Sequence, residues 1–557
     1  MTLRSSNRRI RLLLALSVLV FAGTLARAVW LQGVQAGTLE RMALRQHRQT
    51  IEIPAGRGTI FDRKGEPLAI GEQATTVYAD PRQVVDSRRV AIAAAKALDL
   101  DANALYEQLA DRARHFVYVK RKADPARAAA LERQALPGLG FYTEELRTYP
   151  QRGVAAHVLG FAGVDNKGLE GLERSLDGSL AGKPGSETIV KDPLGRSIDV
   201  IGTRPEQPGK DVFLTIDHRL QAHAEEVLRE TVRTSRAKAG TAIVLDPLTG
   251  AVLAMATAPG FDLNHFGKAS ADKRRNRAVT DTYEPGSTFK VVTVSAALSE
   301  KLVSPKTLFT LEASIQVADR VIHEHEPRAT QRMTVAQILS QSSNVGTITL
   351  AQLLGQTRLI DWIDRFGFGR GSGIDYPGES RGLLPTYWSG STIGNVPIGQ
   401  GIAVTPIQMA AAYAAIANRG VLRTPYVVDR IDGKRPKRGP GRRVVSRTVA
   451  AQMMAMLRDV VSAEGGTGAL AGVSGYTVAG KTGTAAKPVP GGYSTSRYVA
   501  SFVGVVPAKK PRLVVLVSID EPKTAIWGGV VAAPAFSRIA QYGLQELEVA
   551  PDALTRR

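Results

Sequence analysis

Leu12 to Ala26 carries no charge, with Arg4, Arg8, Arg9 and Arg11 before it and Arg27, Ala28, Val29, Trp30 and Leu31 after it. At about 1.5 Å of helical rise per residue, Leu12 to Leu31 is long enough to cross a bilayer, with Arg27 snorkelling outward and Trp30 at an interface. Arginines on the N-terminal side hold that end in the cytoplasm and send the rest of the chain across the membrane. A cleaved signal peptide accounts for the same pattern, because the apolar core is short and Ala26-Arg27-Ala28 resembles a small-residue cleavage site. Both readings put the bulk of the chain outside the cytoplasm.

That location limits what the charge can mean. Seventy-two Lys and Arg against 51 Asp and Glu give +21 over 557 residues, a balance that suits nucleic acid but has none to meet in an exported chain. The basic run Lys434, Arg435, Lys437, Arg438, Arg442 and Arg443 lies among prolines and glycines without aromatics to stack on bases, so it reads as a solvated loop. No nucleic-acid partner is expected. The chain has no cysteine, which excludes thiolate chemistry and cysteine zinc sites, and a core of this size needs no disulfide. His323-Glu324-His325 is the best metal candidate, yet no H-E-x-x-H pattern occurs; it reads as solvated surface, and neither metal nor cofactor is expected.

The length implies two or more domains. From Gln32 to about Arg204 the chain is mixed and turn-rich: Arg57 to Ala69 reads as strand, tight turn and strand, and Val90 to Leu109 as a helix. Asp217 to Lys238 is an amphipathic helix, and Ala242 to Leu245 with Val252 to Ala256 flank the hairpin signal Asp246-Pro247-Leu248-Thr249-Gly250. A mostly helical middle comes next. Thr477 to Thr484, Tyr498 to Val506 and Leu513 to Asp520 read as strands, and Pro534 to Leu547 as a closing helix. Strands from both ends around a helical insert predict an α+β architecture with an antiparallel sheet covered by helices.

Three short strings lie in the second half of the chain: Ser287-Thr288-Phe289-Lys290, Ser342-Ser343-Asn344 and Lys481-Thr482-Gly483-Thr484. Each alone is weak. Ser235 to Lys238 and Ser270 to Lys273 repeat the first spacing, and Ser5-Ser6-Asn7 repeats the second. A lone Ser287 would be a helix N-cap, Asn344 a turn residue, and Lys481 to Gly483 a strand end. Their conjunction, in order and with Tyr283-Glu284-Pro285-Gly286 and Ala479-Gly480 as flanks, resembles the signature of penicillin-reactive serine acyltransferases.

The resemblance runs from Arg57 to the C-terminus. Arg147-Thr148-Tyr149-Pro150, Gly168-Leu169-Glu170-Gly171-Leu172-Glu173, Arg275 to Asp281, Gly399 to Pro406 and Ala532 to Phe536 are similar to stretches of class B penicillin-binding proteins, in particular the division-specific D,D-transpeptidases of FtsI type in Gram-negative bacteria. It implies a cytoplasmic tail (1–11), an uncleaved transmembrane anchor (12–31), a pedestal of dimerisation type (32–204) and a transpeptidase domain (205–557). The protein would sit single-pass in the inner membrane, its catalytic domain periplasmic. It would cross-link peptidoglycan stem peptides ending in D-Ala-D-Ala during septal wall synthesis, bind β-lactams, and work beside a FtsW-type glycan polymerase and other division proteins. Ala485-Ala486 and the loop near Pro436 depart from the family pattern and touch loop contacts only.

Amide exchange explains the residue types. A serine hydroxyl must lose its proton as it attacks, and Lys290, three residues on, shares a helix face with Ser287. The lysine acts only when neutral, which takes roughly 3 units of depression, or about 4 kcal/mol, from burial and like charge; Lys481 is expected to supply part of that repulsion. The resemblance assigns the remaining roles. Ser342 relays the proton to the leaving amine, Asn344 holds Lys290 and a substrate amide, and the backbone N–H groups of Ser287 and Thr484 form the oxyanion hole. Lys481, Thr482 and Thr484 bind the substrate's terminal carboxylate, with Gly483 between them.

An elongation-specific class B enzyme and a penicillin-binding sensor or scaffold are the alternatives. A β-lactamase has no use for the pedestal, and no E-D-x-x-F string marks a glycosyltransferase.

Overall fold

The computed structural model describes residues 3–35, 37, 48–191 and 197–553. Residues 1–2 of the expected tail, 36, 38–47 and 192–196 of the 32–204 region, and 554–557 of the last domain lie outside the described residues. The chain divides into two compact units, Met1–Gly56 with Gly182–Pro208, and Arg57–Ala181 with Gly209–Arg557.

In the first unit, the helix Leu3–Val29 continues into a π-helical turn, Trp30–Val34. Asn7–Val34 is long and apolar enough to cross a membrane, and its large apolar side chains, among them Leu13, Phe21 and Leu25, are exposed. The strands Arg48–Ile53, Gly185–Lys191 and Ser197–Arg204 form an antiparallel sheet in that order.

The second unit holds two main sheets. One is built on the long strand Pro67–Ala79, which pairs with Val117–Ala123 and Leu139–Thr148; Ile60–Phe61 joins it through Val212–Leu214 to Val428–Ile431. The expected turn between Arg57 and Ala69 is present, with Asp62 accepting from the N–H groups of Lys64 and Glu66. Beside this sheet, Glu173 is fully buried between two guanidinium groups, Arg57 at 2.6 Å and Arg147 at 2.7 Å, and Tyr149 donates to it at 3.3 Å. The helix expected over Val90 to Leu109 is two helices, Ser87–Leu98 and Ala102–Ala110. Asp99 takes left-handed φ at 56° and ends the first, and Asp101 caps the second by accepting from Asn103 and Ala104 N–H.

The other sheet is five-stranded and antiparallel, in the order Val252–Ala258, Ala239–Leu245, Leu513–Asp520, Gly492–Val506, Ala479–Val489. Its central strands read as nearly unbroken apolar runs because both faces are covered. Val515, Val517 and Ile519 point into one core with the helices His218–Thr234 and Gly528–Glu546; Val514 and Leu516 point into the other, with Pro406–Ala417 and Lys290–Ser299. The closing helix begins six residues before the expected Pro534, which lies inside it. Gly528 opens that helix for a steric reason: a Cβ there would meet the carbonyl oxygens of Ser501 at 2.2 Å and Gly483 at 2.3 Å. The α+β expectation holds.

Candidate active site

Ser287 lies in the 3₁₀ turn Gly286–Phe289, which runs directly into the helix Lys290–Ser299. The turn is fixed from three sides. Gly286, at φ +53°, donates its N–H to the Gly399 carbonyl at 3.0 Å, and a Cβ there would press on the Thr484 carbonyl at 3.0 Å. Thr288 donates its hydroxyl to the Pro285 carbonyl at 2.7 Å, and the buried Tyr413 hydroxyl donates to the Thr288 carbonyl at 2.9 Å. Ser287 itself stays half-buried and lines a cleft of about 570 Å³ with Ser342, Asn344, Thr482 and Thr484.

The second string stands at a helix start. Ser343 is the N-cap of Asn344–Leu354 and accepts from the Gly346 N–H at 2.9 Å. Ser342, just before it, is held at φ +60°, a region that costs a non-glycine residue about 1–3 kcal/mol. The strained turn aims the Ser342 carbonyl at the buried lysine: Lys290 Nζ donates to that oxygen at 2.6 Å, to Asn344 Oδ1 at 2.8 Å, and to Ser342 Oγ at 3.3 Å. Two of the three strings therefore meet at one nitrogen.

Lys290 is fully buried. Burial draws its ammonium down from 10.5 to about 7, Glu324 pulls the other way, and the charge of Arg328 reinforces the depression. Lys481 is also fully buried and lies well below its ordinary value, through burial first and the charge of Lys290 second. Lys481 was expected to supply part of the repulsion on Lys290; the like charge that acts on Lys290 is that of Arg328, while the charge of Lys290 acts on Lys481.

The third string lies on the edge strand Ala479–Val489. Thr482 and Thr484 face the cleft, whereas Lys481 lies behind them, its Nζ donating to the Thr482 carbonyl and hydroxyl at 3.3 Å each. Thr482 and Thr467 share a hydroxyl contact of 2.7 Å, and the Gly528 N–H donates to Thr484 Oγ1 at 3.1 Å. The far wall holds Trp527, against which the ring of His325 packs edge-on at 4.4 Å.

The repeat spacings have structural uses instead. Ser235 is buried at a helix C-terminus and donates to the Thr231 carbonyl at 2.6 Å, while Ser270 caps a short turn by accepting from the Lys273 N–H. Glu324 does not behave as solvated surface: it accepts from Ser343 Oγ and from the Asn344 N–H. Thr467, Trp527 and Tyr413 were not singled out from sequence. None sits in a recognisable string; the fold brings Thr467 and Trp527 to the cleft and the buried Tyr413 beneath the serine turn.

Residues 240–541 match the family described as the penicillin binding protein transpeptidase domain, and residues 52–214 the penicillin-binding protein dimerisation domain. The chain is 34% identical to the peptidoglycan D,D-transpeptidase FtsI of Escherichia coli strain K12, over 98% of this chain and 93% of that one. It is 33% identical to stage V sporulation protein D of Bacillus subtilis, over 98% and 86%. The crystal structure of penicillin binding protein 3 from Mycobacterium tuberculosis, complexed with aztreonam, superposes with a TM-score of 0.71 at 32% identity, covering 90% of this chain and 98% of that one.

Proposed function

Taking as premise that this chain belongs to the class B penicillin-binding proteins, we propose that Ser287 is the nucleophile of its transpeptidase reaction and Lys290 the base. The enzyme is a peptidoglycan D,D-transpeptidase of serine type that binds stem peptides and β-lactams, and it is a single-pass inner-membrane protein. The observation that carries the residue roles is the lysine: fully buried, near 7, and donating to Ser342 and Asn344 one helical turn from Ser287.

Neutral Lys290 takes the Ser287 proton as Oγ attacks the carbonyl carbon of the penultimate D-Ala. The backbone N–H groups of Ser287 and Thr484 receive the developing oxyanion, each donor worth roughly 3 kcal/mol. Ser342, 3.3 Å from Lys290 Nζ, returns the proton to the leaving D-Ala amine. An acceptor amine of a second stem peptide, diaminopimelate by resemblance, then attacks the acyl-enzyme and releases Ser287. Thr482 and Thr484 offer hydroxyls to the donor's terminal carboxylate from the cleft wall, and Lys481 supports them from behind.

Residues 205–557 act as the catalytic domain and 32–204 as the pedestal. The arginines before Leu12 keep residues 1–11 in the cytoplasm and place the catalytic domain in the periplasm. Similarity to FtsI favours septal synthesis beside a FtsW-type polymerase and other division proteins. Incubating the purified protein with a D-Ala-D-Ala pentapeptide thioester analogue and an amine acceptor tests the activity: cross-linked product is expected, and acyl-enzyme that never transfers to the amine favours a sensor.

A further inference from the structure

The strap His323-Glu324-His325 leaves the hairpin Ser314–Val317/Arg320–His323 and runs against the Ser342–Asn344 turn. There the Glu324 carboxylate is shared between two donors: Oε1 accepts from the Ser343 hydroxyl, and Oε2 from the Asn344 main-chain N–H at 2.7 Å. The carbonyl of His323 accepts from Asn344 Nδ2 at 3.2 Å. A carboxamide whose nitrogen is engaged on one side turns its oxygen to the other, and that oxygen accepts from Lys290. One strap thus decides which end of Asn344 meets the lysine and braces the turn in which Ser342 is strained.

Glu324 also belongs to the charge field of Lys290. It favours the ammonium, while burial and Arg328 oppose it. The other titratable groups there, among the described residues, are Lys481 on the edge strand, which feels the charge of Lys290, His325, lowered by burial and then by Lys290, and Glu326, whose charge acts on His325 the other way.

We propose that Glu324 is a positioning residue for acylation, holding Ser342 and Asn344 against Lys290 and setting the charge environment in which the lysine gives up and regains its proton. The inference rests on Ser287 and Lys290 as nucleophile and base. Mapping the wild-type penicillin adduct to Ser287 tests that reading by itself, so the two fail separately.

Glu324→Gln keeps the side-chain size and removes the charge. With a fluorescent penicillin, acylation of the full-length variant slows by about tenfold or more, since small misplacements near reacting groups are costly. The acid limb of its rate–pH profile moves to lower pH by roughly half a unit or more, because the carboxylate that favoured the ammonium is gone. Glu324→Asp keeps the charge but does not span both donors, so it slows acylation with the limb near its wild-type position. Wild-type rate in Glu324→Gln overturns the proposal, as does a slowed Glu324→Gln with an unmoved limb and a lowered Tm, which is bracing alone. If Glu324→Gln does not fold, Glu324→Asp decides: a folded variant with wild-type rate overturns the proposal, and a slow one with the limb in place upholds it.

Discussion

Lys290 Nζ donates to the main-chain carbonyl of Ser342 at 2.6 Å, and Ser342 holds φ +60° to present that oxygen. A buried lysine that spends its hydrogen bonds on a strained turn and a neighbouring carboxamide is held rigidly, and its proton is cheap to remove because burial disfavours the ammonium.

The rate of acylation by a penicillin should therefore rise with pH through a limb centred at about 7, the value to which burial draws Lys290. Stopped-flow acylation between pH 5 and 9 reads it. A profile flat across that range contradicts the role of Lys290 as base.

Lys290→Met replaces the buried lysine by an apolar side chain of similar volume. Acylation should fall by about 100-fold to 10,000-fold, the usual worth of a general base, while a cooperative unfolding transition is retained. The variant should also lose part of a pH dependence of stability. With the folded value near 7 and the ordinary value 10.5, the unfolded chain binds more protons between them, so wild-type stability rises with pH across that window and the penalty is largest below it. An unchanged slope in Lys290→Met contradicts the assignment.

Glu173→Ala leaves the Arg57 and Arg147 guanidinium groups buried without their shared carboxylate. Removing one partner of a buried ion pair costs about 3–5 kcal/mol, to be read from urea unfolding. A loss under about 1 kcal/mol would show that water or Asp177 compensates for Arg57.

Because the chain has no cysteine, single cysteines report topology cleanly. Asn7→Cys should resist a membrane-impermeant thiol reagent, and Ser496→Cys, at an exposed position, should react once the reagent passes the outer membrane. The reverse pattern contradicts the periplasmic orientation, and a mature protein lacking residue 7 identifies a cleaved signal peptide.

Much of the fold was legible because periodicity and turn chemistry are local. Asp217 caps its helix where the pattern placed it, and Leu513–Asp520 is a strand at the expected bounds. The break between Leu98 and Ala102 is local cap chemistry at Asp99 and Asp101, whereas the start of the last helix has a tertiary cause. Gly528 starts the last helix early because only a glycine fits against Ser501 and Gly483, a contact hidden from any window around Pro534. Within the site, motif strings led to Ser287, Lys290, Ser342, Asn344 and Thr482, which the fold gathers around one cleft and its buried lysine. Glu324 was misread as solvated, since its partners Ser343 and Asn344 lie far along the chain and nothing beside it in sequence signals them.

The central claim is that Ser287 carries the acyl group, and peptide mapping by mass spectrometry after benzylpenicillin treatment tests it most directly. The adduct should appear on the peptide containing Ser287, persist for many minutes, and vanish in Ser287→Ala with folding intact. An adduct on Ser235, Ser270 or any other residue, or a Ser287→Ala protein that still labels, would contradict the account.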